Sequence, residues 1–244
     1  MAPPPTLPAA FLHHAAADPE EPWLFRAEGW DWVWHPWREL AGWMERWREP
    51  LSALPAGSRA AFSYDARPES VILDLAIQAA GLAPAPNGKR EDAAWIERRG
   101  LEIEISPCSH PPLSGWTGEE IVAAAAERLQ REIGDGGKRE IVVLGGPLDD
   151  PLERTMMAWA TLSGAAVVLE PDPALRAATA AWVRPTVFHG TPGEIADLRA
   201  RVGKGRKGRL PLRRLRALVV AGEISEEEAE LWRGRGVRTL RLPG

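Results

Sequence analysis

From residue 140 onward the chain repeats one unit, a short run rich in Val, Leu and Ile followed by a longer stretch with apolar residues at helical spacing. Residues 140–144, 165–170, 186–189, 215–220 and 237–242 read as strands, and 152–163, 173–183, 192–202 and 225–234 as helices. A strand that returns through a helix of this length lies parallel to its predecessor. The alternation therefore predicts an α/β fold with largely parallel strands. No short-period repeat accompanies it.

The first half is less regular. Residues 8–17 read as a short helix after a Pro-rich leader at Pro3 to Pro5. Residues 23–27 and 30–34, separated by Glu28-Gly29, read as a hairpin with Trp30, Trp32 and Trp34 on one face. Pro36 then opens a helix at a position where its missing N–H costs nothing. Residues 59–64 read as a strand and 68–80 as a helix, with Gly81 suited to the position after its end. Residues 82–86 read as extended, 91–99 as a helix, 101–106 as a strand and 121–133 as a helix. The expected organisation is a first α/β subdomain over 1–110 and a second over 111–244, or one compact unit of the two.

Composition matters where it excludes. A net charge of −4 does not point to nucleic acid or an anionic membrane as a partner. One cysteine, Cys108, excludes an internal disulfide and a multi-thiolate zinc site. No apolar run approaches the roughly 20 residues of a membrane span, and the first residues have neither a basic nor an apolar signal region. A cytoplasmic location is expected. Twelve Trp against one Tyr is an unusual ratio. Trp37, Leu40, Trp43 or Met44, and Trp47 recur at helical spacing, which favours a core seam over an aromatic platform for a ligand.

Several stretches resemble the amino-terminal domain of the adenylate-forming (AMP-binding) acyl-CoA synthetases. Pro36-Trp37-Arg38-Glu39-Leu40 resembles the family's "W-x-E-L" helix start, Asp65-Ala66-Arg67-Pro68-Glu69 its "N-R-P-E" turn, and the segment from Ala79-Ala80-Gly81 to Pro86 its "A-A-G-x-x-x-x-P". Leu162-Ser163-Gly164-Ala165-Ala166-Val167-Val168-Leu169 is similar to "L-x-x-G-A-x-V-V". Arg184-Pro185-Thr186-Val187-Phe188-His189-Gly190-Thr191-Pro192 is similar to "R-P-T-V-x-F-G-V-P", and Leu215 to Ile224 to "L-R-x-x-V-S-G-G-A-x-L". The resemblance implies a trimmed version of that domain. It also implies that Phe188, His189, Gly190, Thr191, Ala221, Gly222 and Glu223 approach an acyl or aryl substrate pocket.

The resemblance fails where phosphate chemistry is needed. The family's Ser/Thr/Gly-rich loop holds ATP phosphates with backbone amides, hydroxyls and a lysine. The candidate remnant is Ser114, Gly115, Thr117 and Gly118, with Trp116 in place of a small hydroxyl residue and Glu120 and Ile121 where the family has proline and lysine. Glu119 and Glu120 would repel a triphosphate. Thr117 with Glu120 reads better as a capping box for the next helix. The family's histidine after "P-L-S" is absent, since Gly146-Pro147-Leu148-Asp149-Asp150 places aspartate there. The sequence given stops at Gly244, before the family's "Y-G-x-T-E" segment and mobile carboxy-terminal domain.

Other constellations are weaker. Gly203-Lys204-Gly205-Arg206-Lys207-Gly208 fits a dinucleotide motif by letter but follows a helix and opens none. The basic run 199–216 lacks interleaved aromatics and reads as a solvated loop, partly offset by the acidic run 223–230. His13 and His14 are adjacent and point apart. Cys108-Ser109-His110 lacks an orienting third group. No metal-ligand spacing occurs.

The expected function is a degenerate, non-catalytic protein that binds an acyl or aryl carboxylate, or a protein partner, through a remnant cleft. One alternative is part of a split carboxylate ligase completed by another chain, forming acyl-AMP and acyl-CoA. The other is a structural or interaction protein, including a homo-oligomer, with no small-molecule site. No catalytic residue and no metal ligand is assigned. No cofactor is expected, with ATP and magnesium admitted only if the remnant loop still functions.

Overall fold

The structure is a computed structural model and describes residues 6–28, 31–90, 92–106, 118–134, 140–146, 148–203 and 212–241. The repeated unit of the second half builds one side of a seven-stranded sheet. β7 (Ile141–Leu144), β8 (Ala166–Leu169), β9 (Val187–Gly190), β10 (Ala217–Val220) and β11 (Arg238–Arg241) are all parallel. The amino-terminal hairpin completes the sheet. β1 (Pro22–Glu28) joins β8 in parallel, and β2 (Asp31–Pro36) lies antiparallel to β1, giving the order β11-β10-β9-β7-β8-β1-β2.

Between these strands run α5 (Pro151–Ser163), α6 (Pro173–Val183), α7 (Pro192–Gly203) and α8 (Glu226–Arg233). Successive strand residues point to opposite faces. Val142, Leu144, Val167, Val187 and Val219 pack in one core with Met156 and Trp159 of α5. Val143, Val168, Phe188, Leu218 and Val220 pack in another with Ala180 of α6, Leu198 of α7 and Trp232 of α8. Strands this apolar on both faces need cover on both, and the crossover helices supply it.

A second sheet of four strands has the order β4-β3-β5-β6: β3 (Arg59–Phe62), β4 (Ala83–Pro86), β5 (Ala94–Arg99) and β6 (Glu102–Ser106). The remaining helices are α1 (Leu7–Ala17), α2 (Trp37–Leu51), α3 (Pro68–Ala79) and α4 (Gly118–Ile133). The tryptophan stripe is a core seam. Trp37, Leu40, Met44 and Trp47 of α2 are all buried, while Trp43 is only partly so. Trp37 stacks on Trp23 at 4.5 Å, and the Trp23 indole donates to the Ala165 carbonyl at 2.8 Å. Of the three hairpin tryptophans, Trp32 is half-buried and Trp34 is exposed; Trp30 lies outside the described residues.

One expected element is wrong. The helix expected over 91–99 is not found among the described residues: Ala94–Arg99 is strand β5, parallel to β3 and antiparallel to β6. Arg99 pairs with Glu102, so Gly100 and Leu101 form a two-residue turn, and Gly100 has φ +64, which glycine adopts without steric cost. Pro36 also sits one step earlier than expected, as the residue before α2 rather than its first. The end of α3 follows expectation. Gly81, at φ +75, donates to the Gln78 carbonyl and Leu82 to that of Ile77, a Schellman closure.

Candidate functional site

In an open parallel sheet, ligands enter at the carboxyl ends of the strands where the connection changes direction. Here the chain leaves β7 for β8 on one side and continues from β9 to β10 and β11 on the other. The crevice above β7 and β9 is therefore where topology opens a site.

Its floor is made of glycine. A Cβ on Gly145 would lie 1.6 Å from the Glu170 carbonyl oxygen, and one on Gly146 2.4 Å from Glu153 Cγ. Gly145 thus lets the chain after β8 pass close to the end of β7, and Gly146 lets the Glu153 side chain fold over it. Asp150 caps α5, its side chain accepting from the Leu152 and Glu153 amides at 2.7 and 3.3 Å. Glu153 thus falls in the first turn, where the positive helix end favours a carboxylate. Its Oε2 also lies 3.4 Å from the Gly145 amide.

Two more elements reach this carboxylate, and a third joins them through Arg176. Arg176 of α6 places Nη2 3.0 Å from Glu153 Oε1 and Nη1 3.4 Å from Glu194 Oε1. His189 of β9 places Nδ1 3.6 Å from Glu153 Oε1. Glu194 is held by a capping box at the start of α7: its Oε2 accepts from the Thr191 amide at 2.7 Å and the Thr191 hydroxyl at 2.9 Å. Glu170, just after β8, accepts from the Thr179 hydroxyl at 2.8 Å. Glu153, Glu170, Arg176 and His189 are all buried.

Burial by itself would push the Glu153 carboxyl up. The adjacent His189 ring, the Arg176 charge and the Gly146 amide outweigh it and hold the carboxyl below the ordinary value. Tyr64, at the end of β3, faces the same charges. Burial first, then Glu153 and Asp74, holds its hydroxyl well above the usual phenol range, so it stays protonated. Both ring nitrogens of His189 and Nε of Arg176 are buried without a hydrogen-bond partner among the described residues. With Nδ1 of His189 already facing Glu153, Nε2 of His189 and Nε of Arg176 are the groups left for an occupant.

The expected pocket residues assemble in part. Phe188, His189, Gly190 and Thr191 end β9, and the Ala221 amide donates to the Gly190 carbonyl at 3.0 Å. Gly222, at φ +117, stands beside Pro192, and Glu223 is exposed. Within that set, His189 joins the charged cluster, Phe188 points into the core beneath α6–α8, and Thr191 serves as a helix cap. Ser114, Gly115 and Thr117 lie outside the described residues, as do Cys108, Ser109 and His110; Gly118 opens α4. Glu153, Arg176 and Glu194 are the site residues that sequence reasoning missed. Arg176 had a signal, being the lone charge in an Ala-rich apolar helix.

Elsewhere, three arginines of the basic run are paired: Arg199 meets Glu228 at 2.7 Å, Arg201 meets Asp197 at 2.9 Å and Arg216 meets Glu140 at 3.0 Å. His14 packs on Trp37 and contacts the Leu162 carbonyl at 3.3 Å, while His13 is exposed. Among the described residues no group of three or more side chains is placed to hold a metal, and no helix is long and apolar enough to cross a membrane.

No family model and no curated protein matches the sequence. Solved structures match the fold. The inhibitor-bound N-terminal domain of FACL13 from Mycobacterium tuberculosis superposes with a TM-score of 0.72 at 12% identity, over 98% of this chain and 75% of that one. A candidate long-chain-fatty-acid CoA ligase of Rhodopseudomonas palustris gives 0.72 at 16%, over 96% and 74%. The nonribosomal peptide synthetase FmoA3, in an AMPPNP-bound form, gives 0.74 at 15%, over all of this chain and 32% of that one. The chain has the fold of the amino-terminal domain of adenylate-forming enzymes. It spans from about a third to three-quarters of the length of these neighbours.

Proposed function

We propose that this chain is a non-catalytic version of that domain, binding an acyl or aryl carboxylate in the crevice at the ends of β7 and β9 without activating it. Arg176 carries this reading. It is the cation of the described crevice, and it is already held between Glu153 and Glu194. Adenylation needs uncommitted positive charge around a triphosphate in line with the acid. The remnant loop adds Glu119 and Glu120 instead of a lysine. An acid group entering the crevice meets His189, whose Nε2 is buried without a hydrogen-bond partner among the described residues.

Thermal unfolding with a panel of fatty and aryl acids, in parallel with magnesium-ATP, tests the reading. A ligand at a hundred times its dissociation constant stabilises by about 2.7 kcal/mol. Each kcal/mol moves the midpoint by roughly 2–4 °C at this size. The expected outcome is a shift with at least one acid, lost in His189→Leu, and none with ATP. ATP-dependent pyrophosphate release with an acid would overturn the reading. No shift with any acid would turn it toward a protein partner in the same crevice.

A further inference from the structure

The large sheet ends on β2, and among the described residues no strand pairs with its outer edge. A free edge presents unpaired N–H and C=O groups, and proteins blunt such edges with charge, proline or a bulge. In β2 the centre is Trp32, Val33 and Trp34, with Asp31 and Pro36 at the two ends. Trp34 is 53% exposed. It stands opposite Phe25, on the face where Phe25 and Trp32 pack against the core beneath α6–α8. The apolar face thus runs out to the edge and stops at an uncovered indole.

We propose that β2 pairs antiparallel with β2 of a second copy of this chain, about a two-fold axis through Val33 and perpendicular to the sheet. An axis in that direction keeps each sheet face on its own side, so paired residues must share a face. The strand Asp31-Trp32-Val33-Trp34-His35 reads almost the same in both directions. Centred on Val33, Trp32 of each copy meets Trp34 of the other, covering the exposed ring with an aromatic cross-strand pair. Asp31 meets His35, an acid opposite a base, at both ends of the ladder. On its own chain, His35 faces Glu39 at 3.3 Å and the Trp43 ring at 5.2 Å. The neighbouring registers set a tryptophan against itself and leave Asp31 or His35 opposite Val33. Only the register through Val33 matches charge to charge and indole to indole. The two seven-stranded sheets become one continuous sheet, a size that α/β proteins reach. This pairing is independent of what occupies the crevice.

Sedimentation of the full chain over a range of concentrations tests the proposal, together with thiol cross-linking. The expected result is a dimer that Trp34→Lys weakens by about tenfold or more. Trp182→Lys, at a tryptophan 74% exposed on α6, leaves it unchanged. In a Cys108→Ser background, Val33→Cys faces itself across the axis. An antiparallel pair sets those Cα atoms about 4.5–5.5 Å apart, within disulfide reach, so mild oxidation gives a covalent dimer. Asp31→Cys faces His35 and does not cross-link at a comparable rate. Near-ultraviolet circular dichroism confirms that each variant is folded, and the cross-linking stands if Trp34→Lys does not fold. A monomer at all concentrations, a dimer broken by Trp182→Lys but not Trp34→Lys, or equal cross-linking through position 31 would overturn the proposal.

Discussion

Glu153 shows how one side chain can decide whether a crevice is a catalyst or a binding site. The fold gives it a helix start, Gly146 to lie over and the Arg176 guanidinium at 3.0 Å. Although burial opposes this, its carboxyl is held below its ordinary value by His189 and Arg176. A depressed carboxylate stabilises the fold above its unfolded value, and that stability is lost as pH falls through the folded one. The unfolding midpoint should therefore be level from neutral pH to about 5 and fall below that. Glu153→Gln should destabilise the fold at neutral pH by about 1–3 kcal/mol for a lost charged hydrogen bond, lowering the midpoint, and should flatten the acid limb. A variant whose midpoint tracks the parent at every pH would show that Arg176 and His189 do not hold this charge.

At the scale of the element, the helix starts carry much of the specification. Asp150 satisfies two amides of α5, Asp172 accepts from Ala174 in α6, and Ser225 accepts from Glu228 in α8. Each is followed by a residue that tolerates a first helical turn, proline in the first two cases. Asp150→Ala should cost about 1 kcal/mol and Asp150→Ser much less, measured by denaturant unfolding. Equal losses would mean that the cap is not what positions Glu153. The period of apolar residues made the helices and parallel strands of the second half legible in the sequence. β5 was not legible. Ala94, Trp95 and Ile96 sit among charges in a composition that suits a helix, and pairing with β3 and β6 overrides that preference. Gly100 between two apolar-polar runs was the available hint of a hairpin. The crevice divides in the same way. His189 and its neighbours could be reached through resemblance along one strand. The Glu153–Arg176–Glu194 contacts join three helices, and no local pattern reports which polar residue of a helix turns inward.

For the whole molecule, the question is how the two sheets are joined. The larger apolar core contains Phe62, Val71 and Ile72 from around the small sheet together with Val142, Met156 and Trp159 from the large one. Across the same junction Arg154 of α5 grips Asp74 of α3, with Nη2 2.6 Å from Oδ2 and Nη1 3.4 Å from Oδ1. Arg154 Nε donates to the Leu148 carbonyl at 2.8 Å, and Gln78 donates to Asp74 Oδ1 at 2.6 Å. A buried pair so fully bonded fixes one orientation between the helices, though burying its two charges offsets much of the attraction. Removing one partner leaves the other buried and uncompensated, at a cost of about 3–5 kcal/mol. Asp74→Leu and Arg154→Met should each approach that loss, while the double variant should recover much of it, because the two sites share one interaction. If the junction unites the sheets, far- and near-ultraviolet circular dichroism should follow a single transition in the parent. The single variants should separate the two probes, the small sheet loosening first. Two transitions already present in the parent would mean that the shared core and the Arg154–Asp74 pair align the two sheets without making them fold together.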